Sequence, residues 1–257
     1  MEKSQIALRF SRACSSYDRA ARVQDRMATR LLDLLDACSV ADGQGVRRWR
    51  CVAETGCGTG LLSRQIRMRY QPESLWLNDL CTSLSDRYAS WAEAIFQPGD
   101  MEEVALPQQV DLLTANAAIQ WLTDPARFFS RCVRALQQGG RVAFTSFGPE
   151  TFREIRQLTG QGLHYLTVGD YEKLLKREGL RVEVCEMQTE RLLFEQPIDV
   201  LRHLKLTGVT AAGHYVWTPR RLEAFCQDYS RLYAGNDGRV ALTYCPIYMI
   251  AQKTTTS

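Results

Sequence analysis

The sequence predicts an α/β fold in which a mostly parallel, doubly wound sheet carries helices on both faces. Short apolar runs alternate with amphipathic segments between residues 49 and 147, and this alternation is typical of parallel strands joined by helices. Three glycines, at positions 56, 58 and 60, directly follow the first apolar run. Glycines at that place let the first strand–helix turn adopt positive φ and approach a ligand closely.

The first predicted element is an amphipathic helix over residues 16–38, because apolar side chains recur on one face. That face comprises Ala20, Ala21, Val23, Met27, Leu31, Leu34 and Leu35. Five short strands follow, each an apolar run that glycine or polar residues end. They are WRCVAE (49–54), SLWLND (74–79), a run near 94–97, VDLLTAN (110–116) and RVAFTSF (141–147). Helices are predicted between them at 61–69, in a segment ending at 91–94, and at 125–136.

The second half of the chain adds helices at 149–158 and 169–178 and a long strand at 180–194. Two more helices, 197–208 and 218–233, precede a last strand at 238–252. These two helices take no part in building the sheet, and an insertion of this kind usually covers the ligand crevice. We therefore predict one domain, 1–257, with an N-terminal helical cover at 1–40 and a helical lid at 197–235, inserted between the last two strands.

Composition and charge exclude several classes of protein. The 32 basic and 29 acidic residues leave a net charge of +3, so a general nucleic-acid binder is not expected. The longest uncharged apolar stretch, 112–122, is about half of what a bilayer crossing needs. The N-terminus has no uninterrupted apolar segment of the kind found in signal peptides. We expect a cytoplasmic protein with no membrane association.

The nine cysteines do not predict a metal site. They are scattered singly without a C-x-x-C pair, and His164, His203 and His214 form no ligand-spaced cluster. Most of the cysteines are expected to be small core residues in a reducing compartment.

The glycine loop, ETGCGTG at 54–60, is the strongest functional signal. Glycines before a helix N-terminus expose backbone N–H groups to negative or polar ligand atoms. The dinucleotide motif G-x-G-x-x-G would need its third glycine at 61 or 63, where the chain has Leu61 and Ser63. The spacing is instead G-x-G-x-G, with Glu54 two residues before the first glycine. A turn without a ligand and a nicotinamide dinucleotide site remain the alternatives.

This loop resembles motif I of class I S-adenosylmethionine methyltransferases. The resemblance implies a Rossmann-like, seven-stranded sheet, S-adenosylmethionine as cofactor, S-adenosylhomocysteine as product, and no metal. It places Asp79 at the ribose hydroxyls, Asp100 and Met101 at the adenine, Asn116 beside the methionine part and Glu54 near its ammonium. The implied cofactor residues are Glu54, Gly56, Gly58, Gly60, Asp79, Leu80, Asp100, Met101 and Asn116. Asp79 as a helix cap and Asp100 as a turn residue are the alternatives.

Four further segments resemble the malonyl-acyl-carrier-protein O-methyltransferase family of biotin synthesis, and the resemblance runs nearly end to end. They are residues 10–24, 116–121, 147–152 and 201–208. Thr55, Asn78 and Cys81 depart from the more common pattern. The family reaction transfers a methyl group to the free carboxylate of malonyl on acyl carrier protein, giving the ester that primes pimeloyl and biotin synthesis. A monomer is expected.

Such a substrate needs no general base, because a carboxylate with a pKa near ~4 is already ionised at pH 7. The residues are therefore expected to orient the substrate. Tyr17, Arg202 and Gln120 are the candidates for catalysis, and the candidates for substrate or carrier contact are Trp121, His203, Lys205, Arg220 and Arg221. The alternatives are solvated lid cations, a core Trp121 and an interior His203. A second basic cluster is formed by Arg64, Arg67 and Arg69.

Three other functions can be weighed from the sequence. A methyltransferase of a free small acid or a quinone is the nearest rival, since it would share the cofactor residues. A non-catalytic S-adenosylmethionine-binding protein would also keep Asp79 and Asp100. A nucleic-acid amino-methyltransferase normally shows [DN]-P-P-[YF] after the fourth strand, whereas residues 116–119 read NAAI. That class is disfavoured.

Overall fold

The computed structural model describes residues 3–41, 49–208 and 216–254. The helices are α1 (Lys3–Ala20), α2 (Arg22–Ala41), α3 (Leu61–Tyr70), α4 (Ser85–Tyr88), α5 (Pro125–Ala135), α6 (Arg153–Thr159), α7 (Val168–Arg177), α8 (Pro197–Leu206) and α9 (Pro219–Tyr233). The strands are β1 (Cys51–Thr55), β2 (Ser74–Asp79), β3 (Ala94–Pro98), β4 (Val110–Ala115), β5 (Leu136–Phe147), β6 (Leu180–Met187), β7 (Glu190–Phe194), β8 (Val240–Tyr244) and β9 (Pro246–Lys253). Single 3-10 turns lie at Thr82–Leu84 and Ile119–Trp121.

Seven strands form one sheet in the order β3-β2-β1-β4-β5-β9-β6. The strands from β3 to β5 pair in parallel, and β6 pairs antiparallel with β9. This arrangement confirms the predicted Rossmann-like α/β class. The chain moves from β1 outward to β3 and then returns to the other side of β1 with β4. The carboxyl ends of β1 and β4 therefore flank the point where strand order reverses, which is the usual ligand position in such sheets.

The chain groups into two compact units. The sheet unit comprises residues 22–146, 166–187 and 247–257, and the accessory unit comprises 1–21, 147–165 and 188–246. The prediction of a single domain with an N-terminal cover and a lid stays a prediction. The sheet unit has an aromatic core in which Phe129, Phe144 and Tyr171 pack with ring centroids between 5.1 and 6.5 Å apart.

The accessory unit is built around a second, two-stranded sheet of β7 and β8. Helices α8 and α9 lie between these strands in sequence, and α1 packs against α8. Tyr229 of α9 donates a hydrogen bond to the Ala241 carbonyl of β8 at 2.8 Å. The buried Glu154 of α6 accepts from the backbone N–H of Thr243 at 3.1 Å. These bonds attach α9 and α6 to the small sheet.

Two predicted strands are wrong in extent. The predicted strand at 180–194 is β6 followed by β7, and the one at 238–252 is β8 followed by β9. Each breaks because the chain changes partner: β6 pairs with β9 in the large sheet and β7 with β8 in the small one. The insertion between β6 and β9 therefore contains a sheet as well as helices α8 and α9. At its two ends, Met187 pairs with Ile247, and the Gln188 N–H donates to the Pro246 carbonyl at 2.9 Å.

The helix predictions also need correction near the N-terminus. The predicted helix at 16–38 is two helices, α1 and α2, separated at Ala21. The helix predicted to reach 91–94 ends at Tyr88, and β5 begins at Leu136, five residues before the predicted strand. Within the described ranges, no helix is both long and apolar enough to span a bilayer.

Candidate cofactor and substrate site

The glycine loop joins the end of β1 to the start of α3. Gly56, Gly58 and Gly60 have φ values of 65°, 53° and 85°, a region that side chains disfavour. The Cys57 N–H donates to the Asn78 carbonyl at 2.9 Å, which fixes the loop to the end of β2. Gly60 is the N-cap residue of α3, so the helix N-terminus opens directly onto the loop.

Close packing explains why position 56 must be glycine. A Cβ built on Gly56 would lie 2.4 Å from the Cβ of Ala118, which follows β4. Tyr88 holds the other side of the loop, because its hydroxyl donates to the Gly58 carbonyl at 2.6 Å. The loop is therefore a fixed surface between β1 and β4.

Asp79, at the end of β2, holds the same loop through its carboxylate. One oxygen accepts from the Gly58 N–H and the other from the Cys81 N–H, both at 2.8 Å. The residue is only 8% exposed, and burial raises its pKa while N–H donors at Cys81, Gly58 and Leu80 partly offset this. A carboxylate has about four acceptor positions, so these three donors leave about one position for a ligand. The next helical turn has Cys81 as its N-cap residue, so Asp79 is not its cap.

Glu54 lies at the end of β1 and is 1% exposed. The Ser63 hydroxyl of α3 donates to its carboxylate at 2.6 Å. Burial raises the pKa of Glu54 to about 8, with a smaller raising effect from Asp79 and lowering effects from Ser63 and Arg64. The group therefore binds a proton at neutral pH, and a cation close by would lower its pKa and favour loss of that proton to solvent.

The turn after β3 carries Asp100 and Met101. The Asp100 carboxylate accepts from the Glu102 N–H at 3.0 Å, and the Asp100 carbonyl accepts from the N–H groups of Glu103 and Val104. Asp100 thus shapes the turn itself, as the alternative interpretation held, and its contact with adenine stays a prediction. Asn78 attaches this turn to β2, since its amide donates to the carbonyls of Gln97 and Gly99, both at 2.9 Å.

Asn116, directly after β4, is bonded within the sheet unit. Its amide nitrogen donates to the Gln24 carbonyl of α2 at 3.0 Å, and its amide oxygen accepts from the Thr145 hydroxyl at 2.7 Å. The side chain therefore holds α2 against the sheet, and its contact with the cofactor stays a prediction. Gln120 donates to the Ala117 carbonyl at 2.6 Å, and Trp121 is half-buried.

The remaining predicted residues belong to the accessory unit. Tyr17 packs edge-on against Phe10, with ring centroids 5.0 Å apart. Arg202 is 68% exposed at its side chain and pairs with Asp199 at 2.7 Å. Exposed cations are also found at Lys205, Arg220 and Arg221. The roles of these side chains in catalysis or carrier contact stay predictions.

His203 differs from the other basic residues of α8 and α9. Its Nε2 lies 2.7 Å from the Tyr244 hydroxyl, and its ring packs between Phe194 and Tyr244. Burial lowers the pKa of His203 to about 4, so the side chain is neutral at pH 7. This is the interior histidine of the alternative interpretation, and it adds no positive charge to the surface of α8.

The sequence did not predict a role in the site for several residues that build it. The hydroxyl of Ser63 bonds Glu54, and that of Thr145 bonds Asn116. The amide of Asn78 bonds the carbonyls of Gln97 and Gly99, just before Asp100. The polar identity of Ser63 on an otherwise buried helix face was an available signal. Thr145 carried no local signal, because it meets Asn116 only through the pairing of β4 with β5.

Donors and acceptors at this edge suit a neutral or cationic nucleoside better than a metal. The loop offers backbone groups, and Asp79 offers acceptor positions for hydroxyls. Among the described residues, no group of three or more His, Cys, Asp or Glu side chains could hold a metal ion.

Comparisons with known proteins match this geometry. A methyltransferase domain model matches residues 53–144. A malonyl-acyl-carrier-protein O-methyltransferase of Bacteroides helcogenes is 37% identical over 98% of this chain and 99% of its own length. One from Bacteroides fragilis is 40% identical over 98% of this chain, which spans only 50% of that longer protein. The crystal structure of the YcgJ protein of Bacillus subtilis has a TM-score of 0.60 and 14% identity, covering 82% of this chain and 94% of its own.

Proposed function

The chain belongs to the malonyl-acyl-carrier-protein O-methyltransferase family, and on that premise we propose that it methylates the free carboxylate of malonyl carried on acyl carrier protein. It is an S-adenosylmethionine-dependent methyltransferase. The name shared by its relatives favours this substrate over a free small acid or a quinone.

The observation that carries the cofactor assignment is the carboxylate of Asp79. Its oxygens already accept backbone N–H bonds from Gly58 and Cys81, and the acceptor capacity that remains suits a ribose hydroxyl. The left-handed glycine loop beside it leaves no Cβ between backbone and ligand. The residues present therefore fit a nucleoside lying along the loop, with its sugar at Asp79.

S-adenosylmethionine would supply an electrophilic methyl group at this site. The protein's part is then to align the substrate carboxylate and to exclude water. Such alignment can contribute roughly 7–11 kcal/mol in favourable cases. A substrate that is already ionised explains why no base is needed, and Tyr17 and Arg202 are the proposed orienting residues.

Acyl carrier protein is the proposed partner. An acidic carrier would be drawn to exposed cations, and the accessory unit presents Arg202, Lys205, Arg220 and Arg221 on α8 and α9. We expect the carrier to dock there in a cytoplasmic setting. The neutral His203 is not part of this charge pattern.

The test is incubation with methyl-labelled S-adenosylmethionine and malonyl-acyl carrier protein. We expect label on the carrier as an ester that mild base removes. Free malonate and a quinone, offered separately, should stay unlabelled. Labelling of either in preference to the carrier would contradict the proposed substrate, and failure to bind S-adenosylhomocysteine in calorimetry would contradict the cofactor.

A further inference from the structure

The chain takes an unusual turn directly after β4. Ala117 has a φ of 51°, which costs a non-glycine residue about 1–2 kcal/mol. Both of its peptide groups are held. Its N–H donates to the Thr145 hydroxyl at 2.8 Å, and its carbonyl accepts from the Gln120 amide at 2.6 Å. Strain that is fixed on both sides in this way is typical of ligand sites.

The bond to Ala117 fixes the orientation of the Gln120 amide. A backbone carbonyl can only accept, so the amide must present its nitrogen to Ala117 and its oxygen to the other side. That oxygen, Oε1, is buried and has no partner among the described residues. A buried acceptor without a donor costs about 1–3 kcal/mol. A ligand that donates to Oε1 would remove that cost.

Gln24 of α2 has the same property. The residue is 2% exposed, and its Oε1 is also buried with no partner in the described part of the chain. Its carbonyl is bonded to the Asn116 amide at 3.0 Å, so Gln24 is attached to the residue next to Ala117. The backbone of Gln24 and the side chain of Gln120 are therefore bonded to one network at the end of β4, through Asn116 and Ala117.

This network borders the glycine loop. Ala118, the next residue, is the neighbour that prevents a Cβ at Gly56. The unpaired amide oxygen of Gln120 beside this turn, and that of Gln24 on the helix bonded to Asn116, suit a group that donates hydrogen bonds and carries positive charge. A primary ammonium has three N–H donors and no acceptor, whereas a carboxylate would place oxygen against oxygen.

We infer that Gln24 and Gln120 accept hydrogen bonds from the α-ammonium of the cofactor's methionine part. This inference rests on the proposed function, since it presumes S-adenosylmethionine in the loop. It assigns Gln120 to the cofactor, whereas the sequence suggested a role in orienting the substrate. Thr145 and Asn116 are positioning residues that hold the turn from which Gln120 acts.

The test compares two ligands in calorimetry with Gln120→Met and Gln24→Met, which keep side-chain length. S-adenosylhomocysteine carries the ammonium, and 5′-methylthioadenosine has the nucleoside and thioether without the amino acid. Each variant should bind S-adenosylhomocysteine about 10- to 100-fold more weakly, as for a lost bond to a charged group. Binding of 5′-methylthioadenosine should be unchanged. Gln24→Glu, which keeps an acceptor, should retain affinity for S-adenosylhomocysteine.

Three results would overturn the inference. Equal weakening of both ligands would mean that the glutamines only support packing. If Gln120→Met binds S-adenosylhomocysteine as wild type does but has a raised KM for malonyl-acyl carrier protein, Gln120 contacts the substrate and not the cofactor. Loss of the Gln24→Glu variant's affinity would exclude an acceptor role at position 24. If wild-type protein bound neither ligand, the proposed cofactor itself would be wrong, which separates that failure from the failure of this inference.

A variant that does not fold is recognised by the loss of 5′-methylthioadenosine binding together with a changed circular dichroism spectrum. In that case Gln120→Ala and Gln24→Ala replace it, because the smaller side chain leaves a cavity without forcing a clash. The same pair of ligands then gives the same expected difference.

Discussion

Asp79 and Asp111 are two buried carboxylates at opposite ends of the parallel strands. Asp79 is the last residue of β2. Asp111 lies near the start of β4, where it accepts from the N–H groups of Arg50 and Cys51 at 3.1 and 2.8 Å. Both bind backbone donors at the margin of β1, so both support the sheet. Only Asp79 lies beside the glycine loop.

Replacing each aspartate by alanine separates stability from cofactor binding. We expect Asp79→Ala to weaken S-adenosylhomocysteine binding by about 1.5–3 kcal/mol, one to two decades, through the loss of charged hydrogen bonds. Asp111→Ala should lower the free energy of unfolding by a similar amount, because it leaves the N–H groups of Arg50 and Cys51 unpaired. It should leave the affinity for S-adenosylhomocysteine unchanged. Calorimetry and urea denaturation measure the two quantities. Equal loss of affinity in both variants would contradict the ribose assignment.

The buried proton on Glu54 predicts a pH dependence of stability. Its pKa rises from an ordinary 4.5 to about 8 on folding, so the folded state holds this proton more tightly than the unfolded chain. The free energy of unfolding should therefore fall as pH increases from about 4.5 to 8, by an amount on the order of 5 kcal/mol. Glu54→Gln should make that slope shallower. Urea denaturation at pH 5, 6, 7 and 8 checks this, and identical slopes would exclude Glu54 as the source.

At the scale of the loop and the helix it precedes, Gly56 and Ala118 form a testable pair. Gly56→Ala should weaken cofactor binding and stability, because the new Cβ overlaps Ala118, and overpacking typically costs about 1–3 kcal/mol. Gly139→Ala is the control, since Gly139 has a φ of 71° and no neighbour within 4 Å of a Cβ. Gly139→Ala should therefore show only the cost of placing a side chain at a positive φ.

Adding Ala118→Gly to Gly56→Ala should recover most of the loss, because it removes the atom that the new methyl group meets. Thermal unfolding and S-adenosylhomocysteine titration of the two single variants and the double variant give the coupling energy. Strict additivity would show that backbone strain at Gly56, and not the contact with Ala118, makes glycine necessary.

These elements also show what local sequence could predict. The β1–loop–α3 segment was predicted because an apolar run, three glycines and a helix are consecutive in the chain. The end of the second strand at Asp79 was predicted from the apolar run before it, and the ribose role of Asp79 from the resemblance to motif I. The sequence did not predict site roles for Ala118, Thr145 and Gln24, since each reaches the site only through strand order or helix packing. The break between β6 and β7 likewise depends on a change of pairing partner, although Pro246, which has no N–H, marked the matching break before β9.

At the scale of the whole molecule, charge on the accessory unit should control carrier binding. We expect reversal of Arg202 and Lys205 to Glu to raise the KM for malonyl-acyl carrier protein roughly tenfold. The difference should shrink as ionic strength rises, because exposed charges are screened. The KM for a small malonyl thioester should not change. Steady-state kinetics with both substrates measures this.

The matched control is reversal of Lys176 and Arg177, two exposed cations on α7 of the sheet unit. It changes net charge by the same amount and should leave both KM values as they are. If the small thioester suffers as much as the carrier in the first variant, or if the control has the same effect, docking on α8 and α9 is the wrong explanation.

The hydrogen bond between Gln188 and Pro246 has a consequence for how the sequence between them can vary. Since Met187 already faces Ile247 across an antiparallel pair, a two-residue turn would suffice to join them. The polypeptide between them can thus be lengthened, shortened or replaced in the course of evolution while the neighbouring strands keep their alignment. That stretch can change without altering the strand order that sets the glycine loop beside Asp79.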